Sequence, residues 1–104
     1  MEKDIKFYEY HSMICHTVTN PARLQIIELI GKGKLNVSEI QKKTNLSMSS
    51  LSNHLGSLFK IGVLKREKSG TFTYYYLSNL ELLKIIEKMS EFVMSIAKQK
   101  FGPF

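Results

Sequence analysis

Three signals for the start of a helix follow one another closely in the first half of the chain. Asn20-Pro21 pairs a residue that caps helices with one that fits the first helical position, where its missing amide hydrogen has no partner. Asn36-Val37-Ser38-Glu39 has the pattern of a capping box, in which the Asn and Glu side chains each accept a backbone amide hydrogen. Ser47 and Ser50 repeat the spacing of a cap. These signals predict short helices in succession.

Apolar side chains recur at the three- and four-residue steps of a helix along most of the chain. They predict a first helix over residues 4–19, a second from Pro21 to Gly31, a third to about Thr44, a fourth that Gly62 ends, and a last helix from Asn79. The apolar positions are Ile5, Tyr8, Ile14, Cys15 and Val18 in the first helix, Leu24, Ile27, Leu29 and Ile30 in the second, Leu51, Leu55, Leu58 and Phe59 in the fourth, and Leu82, Ile85, Ile86, Met89, Phe92, Val93 and Ile96 in the last.

Two segments with β-branched, aromatic and alternating residues follow the fourth helix, at 63–68 and 71–77. Ser69-Gly70 lies between them as a two-residue turn, so the pattern predicts a β-hairpin with one basic arm. Helices followed by a hairpin, with a short turn between the third and fourth helices, form the plan of a winged helix-turn-helix. We therefore predict a mainly α, α+β fold with five helices and a β-hairpin wing.

A chain of 104 residues, 43% of them apolar, has room for one core. We predict a single domain over 1–104, with a helix core that contains the helix-turn-helix at 20–62, a wing at 63–77, and dimerisation helices at 1–19 and 79–100. The apolar stripes of the two terminal helices need another surface to cover them, and a second copy of the chain supplies one. The alternative is that both helices fold over their own domain.

The net charge of +6 is concentrated in the middle of the chain. Residues 21–46 carry five bases and two acids, and residues 47–78 carry four bases and one acid, which gives +3 for each segment. The segments before and after them contribute −1 and +1. Such a distribution favours an anionic partner such as nucleic acid over an evenly solvated basic surface, which remains the alternative.

The single cysteine, Cys15, cannot form an internal disulfide or supply a Cys₂ or Cys₄ metal site from one chain, which fits a reducing cytoplasm.

We find neither the pattern of a signal peptide nor a run of apolar residues long enough for a membrane span, so no membrane partner is expected. The sequence also shows no nucleophile–base pair, phosphate loop or carboxylate set, so we predict that the protein is not an enzyme and needs no cofactor.

Three stretches resemble the ArsR/SmtB family of bacterial and archaeal repressors. Asn20-Pro21-Ala22-Arg23-Leu24 resembles the family's DPTRL-like opening of the second helix. Residues 46–55 are similar to its LSQSTVSHHL-like recognition stretch, and residues 62–66 with 70–77 are similar to its wing. The resemblance covers roughly residues 10–95. It implies a homodimer that binds pseudo-palindromic operator DNA as a repressor and releases it on sensing a metal ion or another chemical signal.

The resemblance also implies which residues face DNA. It places Met48, Ser49, Ser52 and Asn53 on the DNA side of the fourth helix, where Ser and Asn can bond phosphate or base edges and Met can contact a thymine methyl group. Ser47 is a helix cap that can also present amides to a phosphate. His54 is either packed and hydrogen-bonded or a DNA contact. The remaining candidates for phosphate or minor-groove contacts are Arg66, Lys68 and Thr71 around the wing turn, and Lys42, Lys43 and Lys60. A solvated helix face is the alternative for Met48, Ser49, Ser52 and Asn53.

The metal ligands of known family members have no counterpart here. The stretch that corresponds to an ELCVCDL-like cysteine site lacks a thiolate, and the last helix lacks histidine altogether. His11, Cys15 and His16 in the first helix remain as metal or redox candidates, since His11 and Cys15 are one helical turn apart. We favour Cys15 as a small buried hydrophobe. Thiol oxidation, an apolar ligand between the terminal helices, and the absence of any effector also stay open.

A winged-helix module that binds a protein partner is the rival interpretation. Such a module would not need its positive charge concentrated in the helix-turn-helix and wing, and its exposed fourth-helix face should be aliphatic or aromatic rather than Ser, Asn and Gly. Charge and composition therefore favour DNA as the partner.

Overall fold

The three predicted cap signals each begin a helix in the computed structural model, which describes residues 3–102. Asn20 accepts hydrogen bonds from the amides of Ala22 and Arg23. The capping box of Asn36 and Glu39 is formed in both directions, at 2.8 and 2.9 Å. The elements are α1 (Ile5–Val18), α2 (Pro21–Ile30), β1 (Lys34–Asn36), α3 (Val37–Thr44), α4 (Met48–Lys60), β2 (Leu64–Ser69), β3 (Phe72–Leu77) and α5 (Glu81–Phe101).

These elements confirm the predicted winged helix-turn-helix with five helices and a hairpin wing. The predicted domain 1–104 includes residues 1, 2, 103 and 104, which lie outside the described residues. Within the described part, α1 is one residue shorter than predicted at each end, because Asp4 caps it and Thr19 follows its last residue. α5 starts two residues later than predicted, at Glu81, whose amide donates to the side chain of Asn79.

The sheet has a third strand that the sequence patterns did not indicate. β1 pairs with β3, which pairs with β2, all antiparallel, in the order β1-β3-β2. The hairpin turn also differs by one residue from the prediction. Ser69 is paired with Phe72, so the two-residue turn consists of Gly70 and Thr71. Gly70 has φ +65°, which suits glycine at the first position of a tight hairpin turn.

The core lies beneath α2, α3, α4 and the sheet, where buried side chains from each of these elements meet. Its largest fully buried members are Ile26, Ile27, Ile40, Leu51, Leu55, Leu58 and Leu64. Phe59 was expected on the buried face of α4, and this expectation is wrong, since its ring is 38% exposed. The face that Leu51, Leu55 and Leu58 share already fills the space below α4, and Phe59 lies beyond its edge.

The terminal helices contribute little to this core. From α1 only Val18 is buried, and from α5 only Ile86. The expectation that Cys15 is buried is wrong for the single chain, because its thiol is exposed. α1 meets the core mainly through Ile14 and Val18 at its C-terminal end, so most of its predicted apolar stripe is not covered.

Candidate nucleic-acid interface

The outer face of α4 presents small polar side chains to solvent. Ser49, Ser52 and Asn53 are exposed, and the Met48 side chain is 50% exposed beside them. The same face includes Gly56, where a methyl group in place of the α-hydrogen would meet nothing within 4 Å. Because the opposite face of α4 is fixed in the core, this face is held as an open surface that another molecule can approach closely.

The first turn of α4 offers donors to an anion. Ser47 accepts a hydrogen bond from the amide of Ser50 at 3.2 Å, and its hydroxyl lies 3.5 Å from that of Ser49. This turn contains no acidic residue. The remaining amides and the positive end of the helix dipole therefore point outward without a competing carboxylate in the turn.

The turn between α3 and α4 fixes the position of α4. Asn45 has φ +57° and ψ +21°, and its amide donates to the carbonyl of Gln41 at 2.8 Å to end α3. Asn is one of the few residues other than Gly that adopts this left-handed conformation readily. Lys42 and Lys43 lie exposed in the last turn of α3, on the helix that precedes the recognition helix of the predicted motif.

The wing presents its cations on two faces. Side chains alternate along β2, so Arg66 and Lys68 share the face of buried Leu64, whereas Lys65 and Glu67 lie on the other face. The guanidinium of Arg66 lies 4.0 Å from the centre of the Phe59 ring, a cation–π contact between the wing and the end of α4. Arg66 is thus fixed beside α4. The sequence patterns did not indicate this role for Phe59.

The single acidic residue of the wing is paired on the outer face of the sheet. Lys34 of β1 forms an ion pair with Glu67 of β2 and lies 5.5 Å from the centre of the Tyr74 ring between them. The hydrogen bond to Glu67, with the attraction of its charge, raises the pKa of Lys34 above its usual value. Lys65, Arg66 and Lys68 have no carboxylate partner among residues 3–102. The wing therefore keeps its positive charge.

Arg23 connects three helices behind the exposed face of α4. Its Nε donates to Nδ1 of His54 at 3.0 Å, Nη1 donates to the carbonyl of Thr17 at 3.2 Å, and Nη2 lies 3.2 Å from the hydroxyl of Ser57. The His54 ring is thus partly buried and hydrogen-bonded inside the protein. The sequence contained Arg23 in the second-helix motif, but two of its three partners, His54 and Ser57, are 31 and 34 residues away along the chain.

His54 should make stability depend on pH. Burial, with a smaller contribution from the charge of Arg23, lowers the pKa of His54 below its usual 6.5. The unfolded chain then binds a proton at a higher pH than the folded chain, so stability is present above pH 6.5 and falls as pH drops through the lower folded pKa. We therefore expect the free energy of unfolding to fall as pH drops from 7.5 to 5.0.

Urea unfolding of the wild type and of His54→Asn across this range measures the effect. Asn keeps an acceptor for Arg23 but does not titrate there, so the variant should show a smaller dependence on pH. Equal slopes for the two proteins would contradict the assignment.

The structure groups most of the predicted DNA contacts around α4 and the wing. Lys60 is exposed at the C-terminal end of α4, and Thr71 is exposed in the hairpin turn. The metal candidates lie elsewhere, since His11, Cys15 and His16 are exposed on α1. Among residues 3–102, no group of three or more His, Cys, Asp and Glu side chains is placed to hold a metal ion. No helix in the same range is both long and apolar enough to cross a membrane.

The central part of the chain matches a known protein family. Residues 20–66 match the family described as "Bacterial regulatory protein, arsR family". This segment runs from the cap of α2 to the middle of β2, so it contains the core helices and α4.

Several individual proteins are similar to the chain. An uncharacterized HTH-type transcriptional regulator of Methanocaldococcus jannaschii is 31% identical over 85 residues, 81% of this chain and 96% of that protein. The transcriptional repressor SdpR of Bacillus subtilis is 30% identical over 76 residues, 73% of this chain and 84% of SdpR. The cadmium resistance regulatory protein CadC of Listeria innocua is 35% identical over 66 residues, 62% of this chain. The match spans only 56% of the length of CadC.

Solved structures share the fold. HlyU from Vibrio cholerae superposes with a TM-score of 0.73 at 28% identity, covering 86% of this chain and 97% of HlyU. A winged helix-turn-helix DNA-binding domain from Mycobacterium bovis, solved as a homodimer, has a TM-score of 0.77 at 20% identity, covering 96% of this chain and 94% of that domain.

Proposed function

Because the chain belongs to the arsR family of bacterial regulatory proteins, we propose that it is a sequence-specific DNA-binding transcriptional regulator that represses its target in the cytoplasm. The observation that carries this proposal is the exposed face of Ser, Asn and Gly on α4, held by a buried leucine face and flanked by a cationic wing. SdpR, one of the similar proteins, is a transcriptional repressor.

In this proposal α4 enters the major groove and reads bases. Asn53 can bond adenine with both atoms of its amide, and the Ser49 and Ser52 hydroxyls can reach base edges or phosphate. Met48 offers an apolar contact that suits a thymine methyl group. These four side chains are exposed on one face of α4, so they can act together on neighbouring base pairs.

The surrounding groups are proposed to bind the DNA backbone. Ser47 and the first turn of α4 can receive a phosphate, while Lys60 at the other end of α4 can receive a second. Arg66, Lys68 and Thr71 of the wing can reach phosphate or the minor groove. Such contacts position the protein without reading sequence.

We also propose that the protein acts as a homodimer on a pseudo-palindromic operator. The support is the apolar surface of the terminal helices, above all the residues of α5 that remain exposed in the single chain. The Mycobacterium bovis domain with the same fold is homodimeric. A two-fold dimer would place its two α4 helices on half-sites about one helical turn of DNA apart.

The division between reading and positioning residues is testable on DNA selected by the protein from a random-sequence pool. We expect Asn53→Ala to weaken binding to the selected DNA by about 1–3 kcal/mol and to leave binding to random DNA nearly unchanged. We expect Lys68→Ala to weaken binding to both and to lower the slope of log affinity against log salt by about one per subunit.

Fluorescence anisotropy across a salt series measures both quantities. Lys32→Ala, which removes a lysine from the turn between α2 and β1, serves as a control for general loss of charge. Equal losses on random DNA for Asn53→Ala and Lys68→Ala would contradict the assignment. Wild-type binding that does not respond to salt would favour the protein-binding module instead.

A further inference from the structure

A groove with a volume of about 540 Å³ lies between α1 and the C-terminal end of α4. Its apolar wall is formed by Tyr10, Met13 and Ile14 of α1 and by Ile61 after α4. Tyr10 and Met13 are 60% and 46% exposed, so much of this wall is open to solvent. The volume is in the range of sites that hold small organic molecules, ~300–1,000 Å³.

Two cations line this groove without a carboxylate. Arg23 and Lys60 both contribute to it, and its lining includes no Asp or Glu. Neither side chain forms an ion pair within residues 3–102. Arg23 uses three of its five N–H groups on His54, Thr17 and Ser57, so two remain for a ligand. An apolar wall beside two positive charges is complementary to an apolar molecule with an anionic end.

The groove is on a different side of α1 from the helix's second exposed apolar surface. Tyr10, Ile14 and Thr17 follow one another at helical steps and face the groove. Ile5, Tyr8 and Ser12 follow one another on another side. The two surfaces share only Met13, so a partner protomer that covers Ile5 and Tyr8 leaves the rest of the groove open.

We propose that this groove binds a small apolar carboxylate, with the carboxylate on Arg23 and Lys60 and the hydrocarbon against Tyr10, Met13 and Ile61. The ligand is then linked to the DNA-reading helix, because Arg23 is the residue that ties α4 to α2 and to the end of α1. A carboxylate on the two remaining N–H groups draws the Arg23 guanidinium toward the groove, which changes its hydrogen bonds to His54 and Ser57 and so alters how α4 is held. This regulatory step rests on the proposed function, whereas binding in the groove does not.

Octanoate and 1-octanol, titrated into the full-length protein without DNA, test the groove. We expect octanoate to bind at least about tenfold more tightly than 1-octanol, since only octanoate can form charge-assisted hydrogen bonds. Lys60→Gln and Arg23→Lys should each weaken octanoate binding several-fold, and Lys32→Gln should not. Lys60 is exposed, so its variant stays informative if Arg23→Lys fails to fold. Equal affinity for the two probes, or wild-type affinity in Lys60→Gln, would overturn the site.

The regulatory step is tested separately on selected DNA. We expect saturating octanoate to change the DNA affinity of the wild type by about fivefold or more, and 1-octanol at the same concentration to leave it unchanged. Unaltered DNA affinity in the octanoate-bound protein would overturn the coupling. Failure of the proposed function is distinguishable, because it would appear as absent DNA binding without any octanoate. If Lys60→Gln weakens DNA binding but not octanoate binding, Lys60 serves the DNA backbone and the groove proposal is wrong.

Discussion

Phe92→Glu should convert the proposed dimer into a monomer. Ile85, Met89 and Phe92 are 59%, 56% and 60% exposed on one side of α5, and Lys84 and Lys88 lie along one border of that patch. A two-fold interface contains each residue twice, so the substitution places two carboxylates in the apolar contact. A charge buried in an apolar contact costs several kcal/mol unless it is paired, and Lys88, one turn before Phe92, is already paired with Glu91. Size-exclusion chromatography with light scattering should then give the 12.0 kDa mass of one chain instead of twice that value.

The same variant should lose most of its affinity for the two-site operator. Two linked DNA-binding units gain about 10²–10⁴ in affinity over one unit, and a monomer forgoes this gain. Ser90→Glu is the matched control, because it adds the same charge to an exposed position on the opposite side of α5 from Phe92. We expect it to leave mass and affinity unchanged. A Phe92→Glu protein that remains a dimer at micromolar concentration would show that this side of α5 is not the interface.

Leu51→Ala should lower the free energy of unfolding by about 2–5 kcal/mol. Leu51 is 0% exposed, at the centre of the face that holds α4 in the core. The truncation removes buried apolar contacts and leaves a cavity that close-packed neighbours fill only in part. In a domain of about 100 residues such a loss lowers Tm by roughly 10 °C or more. Circular dichroism with urea and with heat measures both quantities.

Met48→Ala on the same helix should leave stability nearly unchanged and weaken DNA binding. Its side chain is 50% exposed at the first turn of α4, so we expect stability to change by no more than about 0.5 kcal/mol. Affinity for selected DNA should fall instead, through loss of the apolar contact. The pair thus separates the side of α4 that maintains the fold from the side that we propose reads DNA. Comparable loss of stability in the two variants would show that α4 is not oriented as described.

The helices were predictable from sequence because their starts depend on residues close along the chain. Asn20, Asn36 and Ser47 each accept amide hydrogens from residues two or three positions later, so the cap patterns contain the whole interaction. The wing was predictable for the same reason, except for the turn. Ser69-Gly70 and Gly70-Thr71 both suit a two-residue turn, and the choice follows from pairing Leu64 with Leu77, both buried in the core.

Strand β1 could not be found locally, because it has three residues and its partner strand lies about forty positions further along the chain. Contacts between residues far apart along the chain also limited prediction of the site. The exposed face of α4 follows from its helical period, but its role in DNA binding came from family resemblance. The contacts of Arg23 with His54 and of Lys34 with Glu67 join residues 31 and 33 positions apart, and nothing in the patterns pairs them.

The burial of Cys15 was mispredicted for a related reason. An apolar stripe on a helix indicates that some surface covers it, but not whether that surface is the helix's own core. In α1 the core covers only the end near Val18. The other apolar side chains of α1, like those of the exposed patch on α5, are left uncovered by the core.

Asn36 joins the sheet of the wing directly to the proposed DNA-reading helices. It is at once the last residue of β1 and the N-cap of α3, and it is buried. No flexible link therefore separates the sheet that carries the wing from the first helix of the helix-turn-helix. The wing and α4 therefore move as one rigid unit. Within a protomer their separation is fixed, so operators of different half-site spacing can be fitted only by bending the DNA or by changing the angle between protomers.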